Sequence, residues 1–400
     1  MSRRGVVRVT ELDPFEIQDG VWDACAEDLP DAMANRLVFA AAHVVMSDTY
    51  ARVDHALDRP GTPTEIAAHI DWDATLDVRQ HLADHGLGIA EAMDTAQRFE
   101  LGWTAAHELI RRTGEAGLDF VAGAGSDHQS NVSTTTALVD AVVEQVHEIQ
   151  RCGGTAVLLP MPLLPSLHTD AQGYVDVYAS IIDQCAGGGP LIVHWLGEQF
   201  MPALAGYFPD DAFLRIMRHD PSTVRAAKLS LLDANRERSL RTSIAESDQL
   251  MLTGDDFNFG SLMTDDVAVL RTVAFGDRQV PLGNFSHALL GIFDALAGPA
   301  NIALRALKAG RHEDAAAILH SCEALGQVVF EAPTPLYKAG LAFLAYVNDV
   351  QDVFDLPNHP QRERNRTWYA RVLQAASQCG AIADAPDAAE RAMFLLAQEE

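Results

Sequence analysis

Short apolar runs alternate with amphipathic stretches along most of the chain. The runs fall at residues 36–46, 88–93, 119–125, 155–161, 191–196, 224–229, 249–254 and 280–284. Most are nearly continuously apolar, the pattern of a parallel strand covered on both faces. Between them lie segments of helical period. From Thr134 to Cys152, apolar residues recur at Leu138, Val142, Val143, Val146 and Ile149, and Gly153-Gly154 supplies a stop. The stretches Tyr174 to Cys185 and Ala212 to Met217 read similarly. Strands alternating with helices imply right-handed βαβ units. Eight such units fit between residues 36 and 310, which predicts an α/β fold, a (β/α)8 TIM barrel, with an open doubly wound sheet as the alternative. Residues 47–70, which include Pro60-Gly61-Thr62-Pro63, read as an extended loop after the first strand. Beyond residue 310 the pattern is helical without a convincing strand. The expected organisation is an N-terminal extension at 1–34, a barrel catalytic domain at 35–310 and a helical C-terminal annex at 311–400.

Composition narrows the function classes. The 400 residues exceed the roughly 250 that such a barrel needs. No apolar run reaches the roughly 18 residues of a membrane span. The start, Met1-Ser2-Arg3-Arg4-Gly5, soon meets Glu11, Asp13 and Glu16, so no signal peptide is expected. With 29 basic against 56 acidic residues, a formal charge of −27 repels phosphate backbones and disfavours nucleic-acid partners. Five scattered cysteines without a Cys-x-x-Cys pair point to reduced thiols and a cytoplasmic location. Neither glycine-rich phosphate loop occurs, so a nucleotide cofactor has no support, and a Gly-x-Ser-x-Gly elbow is also absent.

In a barrel, chemistry gathers where strands end and βα loops begin. Those ends hold His43, Glu91, Asp94, the stretch Ser126 to His128, Met161, His194, Lys228, Asp255, Asp256 and Asn284. Lys228 is one of only three lysines and lies in the apolar run Val224-Arg-Ala-Ala-Lys-Leu229. A lysine desolvated there has a lowered pKa and a free amine able to condense with a carbonyl; arginine could not do this. The alternative is a strand-end cation paired with Asp233 or Asp255. Lys308 and Lys338 read as ordinary helix-terminal cations. His194 is either a proton carrier or a packed histidine beside Trp195. Tyr174 and Tyr178 read as packing residues. His43, Glu91, Asp94, His128, His194 and Asp255 also form a set of nitrogen and oxygen donors, so a metal-dependent sugar isomerase or class II aldolase is the second reading, although no local ligand spacing supports it. Asn284 and His287, after the last strand, are candidates to line the mouth, with a cap of the next helix by Asn284 or Ser286 as the alternative.

Five segments in sequence order resemble the dihydrodipicolinate synthase/N-acetylneuraminate lyase family. Phe120-Val-Ala-Gly-Ala-Gly125 is similar to its third strand, Pro190-Leu-Ile-Val-His-Trp-Leu-Gly197 to its fifth, and Ser222-Thr-Val-Arg-Ala-Ala-Lys-Leu-Ser230 to the sixth, which carries the Schiff-base lysine. Leu252-Thr-Gly-Asp-Asp256 resembles its Gly-Asp-Asp turn, and Glu331-Ala-Pro-Thr-Pro-Leu-Tyr-Lys-Ala-Gly-Leu341 its helical Asn-Pro-x-Pro-x-Lys signature. The resemblance implies a TIM barrel with a helical extension, a homo-oligomer (dimer or tetramer), and a class I aldolase, lyase or hydratase that needs no cofactor. It assigns imine formation to Lys228 and places His194 where the family has a proton-relaying tyrosine. Met93-Asp94-Thr95-Ala96-Gln97 departs from the family's Gly-Thr-Thr-Gly-Glu turn: both glycines are lost, and a carboxylate at Asp94 would repel a substrate carboxylate. The expected partner is a small carbonyl compound, a keto acid or a sugar-derived polyhydroxy ketone. Asp94 and Thr95 would hold its hydroxyls, with Glu91, His43, His128, Asp255 and Asn284 as further contacts.

Overall fold

The computed structural model describes residues 3–7, 14–129 and 131–396; the opening dipeptide, Glu11 and Asp13 of the leader lie outside the described residues. Eight parallel strands close into a barrel. They are β1 (Val38–Ala41), β2 (Gly88–Glu91), β3 (Phe120–Ala124), β4 (Thr155–Leu158), β5 (Leu191–Leu196), β6 (Val224–Ser230), β7 (Leu250–Thr253) and β8 (His287–Leu290). Helices cover the barrel's outer face, so the fold is the expected (β/α)8 barrel. The helix predicted from Thr134 runs Thr135–Arg151, with the Thr134 hydroxyl accepting from the Ala137 amide. Tyr174 and Tyr178 are buried on the helix Ala171–Cys185.

One expected barrel strand lies outside the barrel. Residues 280–284 do not enter the barrel: Arg278–Gly283 pairs antiparallel with Val269–Phe275 as a separate hairpin. Its Val273, Phe275, Val280 and Leu282 join the cluster formed inside the barrel by Phe39, Val121, Val157, Ile192 and Leu289, so the hairpin closes the barrel floor. Alternating apolar residues suit a strand packed on one face, which is why the run read as a barrel strand. The eighth strand is the next apolar run, and the segment at 280–284 therefore precedes it at the barrel's N-terminal end. The loop at 47–70 is also more ordered than expected. It holds a turn of 3-10 helix, Asp48–Arg52, and the helix Pro63–Ala67, started by a Thr62/Glu65 capping box.

The C-terminal annex is helical, with long helices at His312–Val329, Lys338–Val347, Arg366–Gln378 and Ala385–Leu396. Two features fasten it. Gly326 lets the helix His312–Val329 approach the loop after β7 so closely that an added Cβ would lie 2.1 Å from the Asp256 carbonyl oxygen. Near the chain's start, the strands Arg4–Val7 and Phe15–Gln18 pair, and Asp19 accepts from the Ala385 amide at 3.0 Å. No helix of the described residues is long and apolar enough to cross a membrane.

Candidate active site

Strand alternation decides what faces the barrel axis. Ala226 of β6 and Ile192 of β5 belong to the inner cluster, so Lys228 and His194, two residues further on, share that inward face above it. There they line a cavity of about 650 Å³ at the C-terminal mouth, with Asp94, Thr95, Ser230, Asp256 and Tyr337.

Lys228 is 8% exposed, and among the described residues no hydrogen bond or ion pair engages its amine. Burial lowers its pKa to about 8, opposed by the charges of Asp256 and Asp94. Neither partner weighed for a structural ion pair is available. Asp233 caps the helix Ala234–Ala245, and Asp255 is spent on the Phe257 and Asn258 amides and the Asn258 side chain. Room for the lysine comes from Gly254, where an added Cβ would lie 2.3 Å from Ser230 Oγ and 2.8 Å from Lys228 Cε. Gly254→Ala is therefore expected to slow carbonyl labelling of Lys228 by up to about a hundredfold through misplacement of the amine. Unchanged labelling kinetics would show that the neighbours simply give way.

Two carboxyl groups flank the amine in unlike states. Asp256, 4% exposed, accepts from the Ile292 amide at 2.9 Å; burial raises its pKa to about 7, despite the nearby Lys228 charge. Asp94 sits on the loop after β2, with about half of its side chain open at 48%. Burial works against its charge, but Lys338 and Tyr337 hold it below the ordinary carboxylate range. Asp94 Oδ2 accepts from the Lys338 amine at 2.8 Å and from the Tyr337 hydroxyl at 2.9 Å, and Tyr337 is also 2.9 Å from Thr95 Oγ1. Burial and the Asp94 charge push the Tyr337 phenol well up, so it stays protonated as a donor. Two carboxyls driven apart in pKa are the arrangement that supplies both an acid and a base. The Asp94 loop is bracketed by strained backbone: Ala92 and Gln97 hold φ of 50° and 51° without being glycine.

His194 is 3% exposed. Its Nε2 meets Ser230 Oγ at 3.3 Å, and its Nδ1 is buried with no protein partner. Burial and then the Lys228 charge hold it far below its ordinary value, so the imidazole is neutral.

The other predicted contacts are placed elsewhere. Glu91 follows the inward Ala90, so it points outward and pairs through both oxygens with Arg79, at 2.8 and 2.9 Å. His43 is locked between Asp294 at 2.5 Å and Gln351 at 2.6 Å. His128 is held by Glu144 and Gln145, both at 2.9 Å. Asn284 lies before β8, at the floor, 3.2 Å from Asp266. His287 is at that end too, bonded to the Leu37 amide and the Pro281 carbonyl. With these donors dispersed, no group of three or more His, Cys, Asp or Glu among the described residues could hold a metal ion.

His43 carries a stability prediction. Burial opposes its protonation, but the Asp294 carboxylate raises its pKa above the ordinary 6.5. A raised histidine pKa contributes stability that is full below pH 6.5 and fades as pH rises through the folded value. His43→Gln should flatten that alkaline decline in thermal midpoint; an unchanged slope would assign the decline to other groups.

Sequence reasoning placed Asp256 at a strand end without giving it a role, and missed Tyr337 and Lys338 as site residues. Lys338, expected as an ordinary helix-terminal cation, is 4% exposed and engages Asp94. Its rarity in a chain with only three lysines was the signal.

Solved structures share this architecture, among them the following three. YagE, a prophage protein of the dihydrodipicolinic acid synthase family from E. coli K12 in complex with pyruvate, superposes with a TM-score of 0.61 at 12% identity, covering 85% of this chain and 98% of its own. The dihydrodipicolinate synthase of Acinetobacter baumannii, complexed with pyruvate, gives 0.58 at 14%, covering 87% and 99%. CdNal from Clostridium difficile, in complex with mannosamine, gives 0.57 at 14%, covering 85% and 97%. At these identities the likeness is one of fold. No curated protein matches the sequence. A family model does match, over residues 16–399, and by that match the chain belongs to the family described as "Protein of unknown function (DUF993)".

Proposed function

We propose that this protein is a class I, Schiff-base-forming aldolase, lyase or hydratase that acts on a small keto compound through Lys228. The observation that carries the reading is the state of that amine: inward on β6, dry, free of a hydrogen-bonded counter-ion and lowered to about 8. The neutral amine adds to the substrate carbonyl carbon. Asp256, whose carboxyl is pushed up to about 7, gives its proton to the departing water. The resulting protonated imine draws the electron pair of an adjacent C–C or C–H bond, and the Asp94 carboxylate takes the proton released from a substrate hydroxyl or carbon. His194 Nδ1 offers a hydrogen bond to bound substrate. Tyr337, Thr95 and Lys338 hold Asp94 ionised and in place. Free thiols at all five cysteines support a cytoplasmic setting, and the homo-oligomer remains part of this reading.

The test is borohydride reduction in the presence of a carbonyl panel, followed by peptide mass spectrometry. A secondary amine on the Lys228 peptide supports the reading. Labelling confined to other lysines, or none with any carbonyl, rejects it.

A further inference from the structure

We infer that the carbonyl compound taken by Lys228 is uncharged, has a hydroxyl beside its carbonyl and carries an apolar body; it is not a 2-keto acid. The inference rests on the Schiff-base reading and narrows its substrate class. Two sets of observations carry it.

The first is charge. Among the described residues, the only side-chain cation lining the cavity besides Lys228 is Arg98, since the imidazole of His194 is neutral. Its donors are committed to Asp127 at 2.7 Å, Gln145 at 2.5 Å and the Gly123 carbonyl at 2.5 Å. The amine of Lys338, just behind, is bound to Asp94. Among the described residues no side-chain cation is left to pair with a carboxylate next to the reacting carbonyl. The group standing open there is Asp94, an ionised acceptor with one oxygen outside those two bonds. An acceptor-only carboxylate binds a hydroxyl and repels an anion.

The second is the apolar mouth. Beyond the polar floor, the cavity is walled by Phe99, Leu196, Phe200, Met201, Leu204 and Phe330. Phe99 is 46% exposed at the rim, and Phe330 is stacked on Tyr337 at 4.3 Å between ring centroids. These side chains come from the start of the helix Arg98–Glu115, from the end of β5 and the segment that follows it, and from the annex. Leu204 and Phe330 are nearly buried behind the others, and the wall offered to whatever extends outward from Lys228 is more nonpolar than polar, with little for a chain of hydroxyls to bond. The polyhydroxylated ketone considered from the sequence fits this wall poorly.

The experiment is borohydride trapping on Lys228 with four matched ketones: pyruvate, phenylpyruvate, hydroxyacetone and benzyl hydroxymethyl ketone. Each pair differs either by carboxylate against hydroxymethyl or by methyl against benzyl. Trapping is expected to be best with benzyl hydroxymethyl ketone. The phenyl group should raise labelling about tenfold or more within the hydroxymethyl pair, from the area it buries. Pyruvate should label least. Asp94→Asn should raise the pyruvate yield relative to hydroxyacetone and leave the benzyl preference intact, whereas Phe99→Ser should erode the benzyl preference alone. Equal or better labelling by either keto acid overturns the charge argument, and better labelling by hydroxyacetone than by its benzyl analogue overturns the apolar one. Absence of label with all four, and with a broader carbonyl panel, rejects the Schiff base itself.

Discussion

Replacing Lys228 with arginine is expected to abolish carbonyl-dependent borohydride labelling and to reduce turnover by at least about a thousandfold, since the group that forms the covalent intermediate is gone. Arginine preserves the charge and much of the length but has no free electron pair for a carbonyl carbon. The labelling rate of the unaltered protein should depend on pH as a bell. It rises with pH as Lys228, lowered to about 8, sheds its proton, and it falls as Asp256, raised to about 7, loses the proton needed to expel water. Because the two charges face each other, the optimum lies between about 7 and 8 and belongs to the pair. Asp256→Asn should move the rising limb to lower pH, because the Asp256 charge is what opposes the fall in the Lys228 pKa. A rising limb that stays near 10.5, the ordinary value for lysine, would mean that the amine is not desolvated and would sink the mechanism.

The largest stability effect should come from Glu91→Ala, at a cost of about 3–5 kcal/mol. Arg79 is 1% exposed, and its Nε and Nη2 donate to the two oxygens of Glu91, whose carboxylate also accepts from Thr113 at 2.9 Å. Without Glu91 a guanidinium is left buried with partial compensation from the His43 and Thr75 carbonyls. Removing both charges in Arg79→Met/Glu91→Met should recover most of the loss, because the desolvation cost disappears along with the attraction. Burial opposes the Glu91 charge, but Arg79 and the hydrogen bonds hold its carboxyl below the ordinary 4.5. The stability it provides is therefore present above pH 4.5 and lost as pH falls through the lower folded value. Equilibrium unfolding of the three proteins at neutral and acid pH measures this. A Glu91→Ala loss below about 1 kcal/mol would show that the pair is solvated.

These two residues also show how far a linear reading reaches. Glu91 closes β2 and Lys228 lies near the end of β6, both in apolar runs, yet one points into the helical layer and the other into the barrel. A one-residue difference in strand phase separates a substrate contact from a structural ion pair. The same holds for Asp255 and Asp256, adjacent in sequence and both acidic. Asp255 turns back on its own loop, and Asp256 faces the amine. Residues 280–284 carried the periodicity of a strand, but nothing in periodicity says whether a strand joins a barrel or plugs it.

Local chemistry in the chain sufficed for the alternation of strands and helices, for seven of the eight barrel strands, the helical annex and the singularity of a lysine in an apolar strand, because each depends on hydrophobic period and residue type over a few neighbours. The placement of Tyr337 and Lys338 against Asp94 depended on folding, since they lie more than 240 residues away and meet it only when the annex docks across the barrel mouth. Whether the Lys228 amine is dry was likewise decided in three dimensions: desolvation is a property of everything packed around a group, and most of what surrounds this one comes from other strands.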